Sequence, residues 1–214
     1  MKLTTKHLPA DQQSIVVEIQ TDAEELARPI IAYFEEQAQA GVRFRDGQTV
    51  ELGWLLLLLR QADDNQLEVF EPDFDCFPIR WCRGVNNAVR HLHLQRAVCA
   101  LFGCDPLFPT IRQAGIVSPK FFESRNYTIT RDTPADSDSG WVFAECGYDG
   151  AEGEFCSLYQ LALKKPEVIP FLALPASSRV TLKPGLREIT ANKTTRSSAN
   201  SDLLRDLATS TVHV

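Results

Sequence analysis

The chain has 214 residues, 44% of them hydrophobic and 23% charged, enough for one large domain or two small ones with a true core. Its 22 Lys and Arg against 28 Asp and Glu give a formal net charge of -6, which excludes a broad phosphate-binding surface and therefore nucleic acid as the expected partner. The longest apolar run, Trp54 to Leu59, is far short of the roughly 20 residues a membrane helix needs, so no membrane partner is expected.

In chain order, residues 14–20 are rich in β-branched residues and predict a short strand. Thr21 with Glu24 three residues on forms a capping box, and Leu26, Ile30, Tyr33 and Phe34 follow at helical spacing. Pro29 interrupts that pattern, which places the firmer helix over 29–40, with Gly41 as its stop. Asp46-Gly47 marks a turn before an apolar strand over 50–60, ended by Asp63-Asp64-Asn65 and followed by a returning strand over 67–70. Glu71-Pro72-Asp73-Phe74 is a loop, and apolar positions 85, 89, 92, 98, 99 and 102 predict a helix closed by Gly103. Two prolines, Pro106 and Pro109, make residues 105–112 a connector.

Beyond it lie strands over 114–117, 127–130 and 140–146, a helix over 157–164, a Pro-limited turn over 166–174 and a strand over 179–182. From Thr190 the chain is rich in Ser, Thr and Asn, which predicts a mobile tail with a short helix around Leu203, Leu204 and Leu207. The start, Met1 to His7, has no apolar run of about 7–15 residues behind it. That pattern, and six cysteines spread through an ordinary composition, lead to an expectation of reduced thiols in the cytoplasm.

Catalytic and metal-binding patterns are weak. Cys76, Cys82, His91, His93, Cys99 and Cys104 fall within 29 residues, yet their gaps do not match the paired spacing of structural zinc sites. They read instead as buried thiols and a surface histidine, so no metal and no cofactor is expected. There is no Gly-x-Ser-x-Gly, Walker A, dinucleotide fingerprint or His-Glu-x-x-His.

Two acidic segments stand out. Residues 61–79 hold Asp63, Asp64, Glu68, Glu71, Asp73 and Asp75 with no Lys or Arg; residues 132–163 hold Asp132, Asp136, Asp138, Glu145, Asp149, Glu152 and Glu154, again with none. Solvated turns explain most such residues one at a time. The aromatics interleaved with them, Phe70, Phe74 and Phe77 in one and Trp141, Phe143, Tyr148 and Phe155 in the other, suit a protein interface in which rings supply affinity and charges supply speed.

Within the second segment, Asp138-Ser139-Gly140-Trp141-Val142-Phe143 resembles the immunity-protein family Imm33. The likeness extends to Gly115-Ile116-Val117-Ser118, Arg131, and Lys165-Pro166-Glu167-Val168-Ile169-Pro170-Phe171-Leu172 with Leu174-Pro175, covering roughly 113–185. Glu71-Pro72-Asp73-Phe74 looks like segments that accompany such domains. The resemblance implies an immunity protein that neutralises a toxin encoded nearby by direct stoichiometric binding, in a system of contact-dependent or type VI secretion. It carries over no catalytic residue and no cofactor. A cytoplasmic site of action implies a cytosolic poison such as a nuclease, whose basic surface an acidic partner suits.

The reading is therefore α+β: two closely packed α/β subdomains with antiparallel sheets and helices on one face. The expected domains are 1–112, an Imm33-like 113–189 and a flexible 190–214. Glu71, Asp73, Asp75, Asp136, Asp138, Trp141, Asp149, Glu152 and Glu154 are the candidate partner-binding residues. Trp141 has two readings, interface anchor or core. The alternatives in other classes are a metal- or thiol-dependent enzyme acting on a small substrate, or a scaffold; homo-oligomerisation is left open.

Overall fold

The computed structural model describes residues 1–9, 11–20, 24–62, 65–150 and 152–209. The capping residue Thr21 and the Asp63-Asp64 turn lie outside the described residues. The chain divides into two compact units, Met1–His93 and Leu94–Val214. This division falls ahead of the 105–112 connector, inside a continuous helix, where no composition change marks it. The α+β class holds: among the described residues two sheets are built from 13 strands, with helices between strands in the sequence.

In the first unit the sheet runs β1 (Lys2–Thr4), β2 (Ile15–Glu18), β5 (Leu67–Pro72), β4 (Leu55–Gln61), β3 (Thr49–Leu52), with β6 (Trp81–Arg83) also paired to β5. All pairings are antiparallel except β2 with β5. Leu55 to Leu59 are all buried, as an unalternating apolar run requires. The apolar run over 50–60 is two strands rather than one. Leu52 pairs with Leu55 across Gly53-Trp54, and Gly53 takes φ 59°, a left-handed conformation open to glycine at little cost.

Helix α1 (Glu24–Gln39) passes through Pro29 without ending and buries Ala27, Ile30, Phe34 and Ala38 along one stripe. Helix α2 (Asn86–Leu101) contains the division between the units. Glu71 accepts the N–H groups of Asn87 and Ala88 at 3.0 and 2.7 Å, so it satisfies the start of α2.

The second unit is a seven-stranded sheet ordered β10 (Glu154–Ser157), β7 (Ala114–Val117), β9 (Asp138–Glu145), β8 (Tyr127–Arg131), β11 (Arg179–Lys183), β12 (Leu186–Ala191), β13 (Thr194–Ser197). Only β7 with β9 is parallel. Burial alternates along the strands: Tyr127, Ile129, Arg131, Trp141, Phe143, Val180, Leu182 and Ile189 face the core. Over that core lie α3 (Leu158–Lys164) and the 3₁₀ turn Pro166–Phe171, which bury Leu158, Tyr159, Leu161, Val168, Ile169 and Phe171. Ser157 caps α3 by accepting the Gln160 N–H.

From Thr190 onward the chain is not tail-like. It completes β12, forms β13, and ends its described part in α4 (Asp202–Thr209), whose Leu204 and Leu207 are buried. Among the described residues no helix is long and apolar enough to cross a membrane.

Candidate partner-binding surface

The Asp138-Ser139-Gly140-Trp141 signature is a fastening of the core, built from one local contact after another. Asp138 Oδ1 accepts the Gly140 N–H at 2.8 Å and closes its own turn. Ser139 Oγ donates to the Ala114 carbonyl at 2.7 Å, joining β9 to β7 where their register shifts. Gly140 has φ 75°, and a Cβ there would stand 2.3 Å from the Asp132 carbonyl oxygen, so only glycine fits. The Trp141 indole N–H donates to the Leu172 carbonyl at 3.0 Å, and the ring is fully buried.

Arg131 completes this fastening from the next strand. It is 1% exposed, and its guanidinium donates to the carbonyls of Leu107, Leu172, Leu174 and Ser139 while lying 5.5 Å from the Trp141 ring centre. Burial lowers its pKa to about 10, so it keeps its charge at neutral pH. One buried cation thus ties the 105–109 connector and the 172–174 segment to the sheet.

The nine candidate residues therefore separate. Trp141 and Glu71 are buried and turned inward, Glu71 with 2% exposure. Asp138 is half-buried in its turn, and Asp73 Oδ1 accepts the Asp75 N–H. Asp75, Asp136, Asp149, Glu152 and Glu154 are exposed. Asp75 belongs to the first unit. In the second, Asp149, Glu152 and Glu154 share the segment leading into β10. Asp136 lies at the far end of β7: Ala114 pairs with Asp138, whereas Glu154 pairs with Val117.

The aromatics separate in the same way. Phe74, Trp141 and Phe143 are core, while Phe77 and Phe155 are 64% and 72% exposed. Phe155 is an exposed ring that charge-based reasoning left off the candidate set. Its only sequence signal is a large ring two residues after a glycine in an acidic stretch.

Phe155 lies on the face of the sheet that carries the half-buried side chains. It pairs with Ile116, Ile116 with Val142, Val142 with Thr130 and Thr130 with Arg179, so these five side chains share one face. A shallow cavity of about 280 Å³ opens there, lined by Thr128, Thr130, Val142, Ala144, Tyr148 and Arg179 among others. Tyr148 hydroxyl donates to the Glu152 carbonyl and closes the acidic loop above Ile116. No ion pair among the described residues holds Glu152 or Glu154.

Elsewhere the chemistry is quiet. A larger groove of about 560 Å³ in the first unit runs between β1 and α1, but Lys2 pairs with Glu68 there and Arg28 with Glu24 and Glu25. Burial pushes Cys82 up to about 11, helped by the charges of Glu71, Asp73 and Asp75, and pushes Cys99 up to about 12. Both are protonated thiols at neutral pH, the opposite of an activated nucleophile. Burial lowers His91 to about 3, so it is a neutral ring set against Trp54 and Phe74. Among the described residues no group of three His, Cys, Asp or Glu is placed to hold a metal ion.

A comparison with curated proteins finds no match, and a comparison with solved structures finds none either. The model of one protein family does match, over residues 94–192, and its description is Imm33-like domain. The match begins at the residue where the second unit begins and takes in the Arg131–Trp141 fastening, so it reaches further upstream than the 113–185 that the motifs alone mark. Over residues 94–192, somewhat less than half of its length, the chain is similar to the Imm33-like domain family.

Proposed function

We infer that the chain neutralises a cognate protein toxin by direct stoichiometric binding. The observation that carries this reading is the Imm33-like domain over 94–192. Two features support it. The exposed acids Asp149, Glu152 and Glu154 shortly precede the exposed ring of Phe155 in the chain, a combination suited to a basic protein surface. The Cys82 and Cys99 thiols and the buried His91 imidazole are set in states unsuited to nucleophilic or general-base work, which favours a binding role over an enzymatic one.

The toxin best matched by this charge is basic around its own active site, as a nuclease is, and acts in the cytoplasm after delivery by a secretion system of the type VI kind. The test is to co-express the chain with the product of the toxin-like reading frame beside its gene. Rescue of growth and a 1:1 complex on size exclusion are expected. Unchanged toxicity with no complex removes the immunity reading.

A further inference from the structure

We propose that β10 is the docking edge of this protein, to which an extended basic segment of the partner adds as an eighth strand. Phe155 is its apolar anchor, and Asp149, Glu152 and Glu154 are its charged rim. This rests on the reading that the chain binds a protein toxin, and it specifies where and how.

The hydrogen-bond phase of the edge is fixed by one contact. Leu158 N–H donates to the Gln113 carbonyl at 3.0 Å, continuing the β10–β7 register in which paired residue numbers keep a constant offset. In an antiparallel ladder, bonded pairs alternate with non-bonded ones. Residues 158, 156 and 154 therefore turn their backbone groups toward β7, and residues 155 and 157 turn theirs away from the sheet. β10 is the terminal strand of its sheet, and among the described residues no strand lies on its outer side. The outward N–H and C=O of Phe155 are a template for an incoming strand.

The side chains agree with the backbone. Edge strands are ordinarily blunted by shortness, by charge, commonly Lys, or by Pro. β10 is short and begins with Glu154, yet it carries Phe155 at 72% exposure in its interior, beside half-buried Ile116 and Val142 on the same face. The opposite edge, β13, presents Thr194, Thr195, Arg196 and Ser197, with no aromatic. The first unit's exposed Phe77 sits in the 73–80 loop between β5 and β6, where no ladder can extend.

Charge selects the occupant. No Lys or Arg occurs between residues 132 and 163, and Asp149, Glu152 and Glu154 are exposed around the strand's start. On the face that Phe155 shares, the row reaches a basic residue only at Arg179, four strands away. A second copy adding through β10 would bring two sets of these acids together, at a Coulombic cost. A segment carrying Lys or Arg meets the opposite sign. With four residues, β10 offers few backbone bonds, so the ring and the charges must supply most of the affinity.

The test uses the full chain and a catalytically inactivated product of the adjacent toxin-like reading frame. Phe155→Pro removes the ring and the outward N–H while leaving every β10–β7 bond in place; Phe155→Ala removes the ring alone. We expect Phe155→Pro to weaken binding about 100-fold and Phe155→Ala about tenfold, with unchanged melting of Phe155→Ala and a Phe77→Ser control that binds like wild type. Hydrogen exchange should show the Phe155 amide becoming protected in the complex. If wild type binds and the Phe155 variants bind equally well, or if that amide exchanges as fast in the complex as in the free chain, strand addition at β10 is wrong while toxin binding stands. A free chain that is a dimer, made monomeric by Phe155→Pro, assigns the edge to a second copy and overturns the proposal. If wild type forms no complex, the toxin reading itself falls and the proposal with it.

Discussion

Trp141 is held by three kinds of contact at once. Its N–H reaches the Leu172 carbonyl, Arg131 lies 5.5 Å from its ring centre, and Phe143 stands 6.1 Å away on the same core face. Trp141→Ala leaves a cavity and removes one of the two hydrogen bonds to the Leu172 carbonyl, so it should lower stability by roughly 3–5 kcal/mol in urea denaturation. A variant that unfolds like wild type but no longer binds would return this residue to the interface. Glu71 makes a second argument at this scale. Burial raises its pKa from 4.5 to about 7, against the lowering effect of the backbone N–H bonds at the start of α2. Between about pH 4.5 and 7 the folded state holds a proton that the unfolded state has released. Stability should therefore fall as pH rises through that window, by about 3 kcal/mol in all, and level off above it. Glu71→Gln should flatten this part of the profile of melting temperature against pH; an unchanged slope would assign the dependence to other groups.

At the scale of elements, legibility followed local signal. β2, β8, β9 and β11 are β-branched or alternating runs that bury one face, and α2 and α3 show helical spacing, so the sequence alone places them closely, whereas α1 begins at Glu24, ahead of the Pro29 that interrupts its sequence pattern. The elements that escaped depend on partners distant in sequence. β10 reads Glu-Phe-Cys-Ser and is a strand because β7 lies beside it; β13 reads Thr-Thr-Arg-Ser and is one because β12 does. The polar stretch after Thr190 looked mobile because the apolar residues that anchor it, Ile189, Leu204 and Leu207, are few and far apart. The candidate site was half legible for a related reason. Charge is visible in sequence but direction is not: Glu71 and Asp149 are both acids in acidic stretches, yet one faces a helix start and the other faces solvent. The same blindness put Trp141 among the candidates and left out Phe155.

At the scale of the molecule, the net charge of -6 is modest, and what distinguishes the chain is where its acids lie. Glu152 and Glu154 are exposed, have no ion pair among the described residues, and stand on the approach to β10. Charges so placed act on a basic partner before contact, over a Debye length of about 8–10 Å at ordinary ionic strength. They should therefore raise the association rate more than they slow dissociation, because once the complex forms they remain at its wet rim. The Glu152→Gln, Glu154→Gln double variant keeps the Glu152 carbonyl that Tyr148 bonds, so the loop retains that closure. Its association rate should drop about three- to tenfold at low salt and converge on that of wild type as salt increases, with dissociation nearly unchanged. Association as fast as wild type at low salt would mean that these carboxylates are only a solvated surface. A faster dissociation at all salt concentrations would place them inside the interface, in direct contact with the partner's cations.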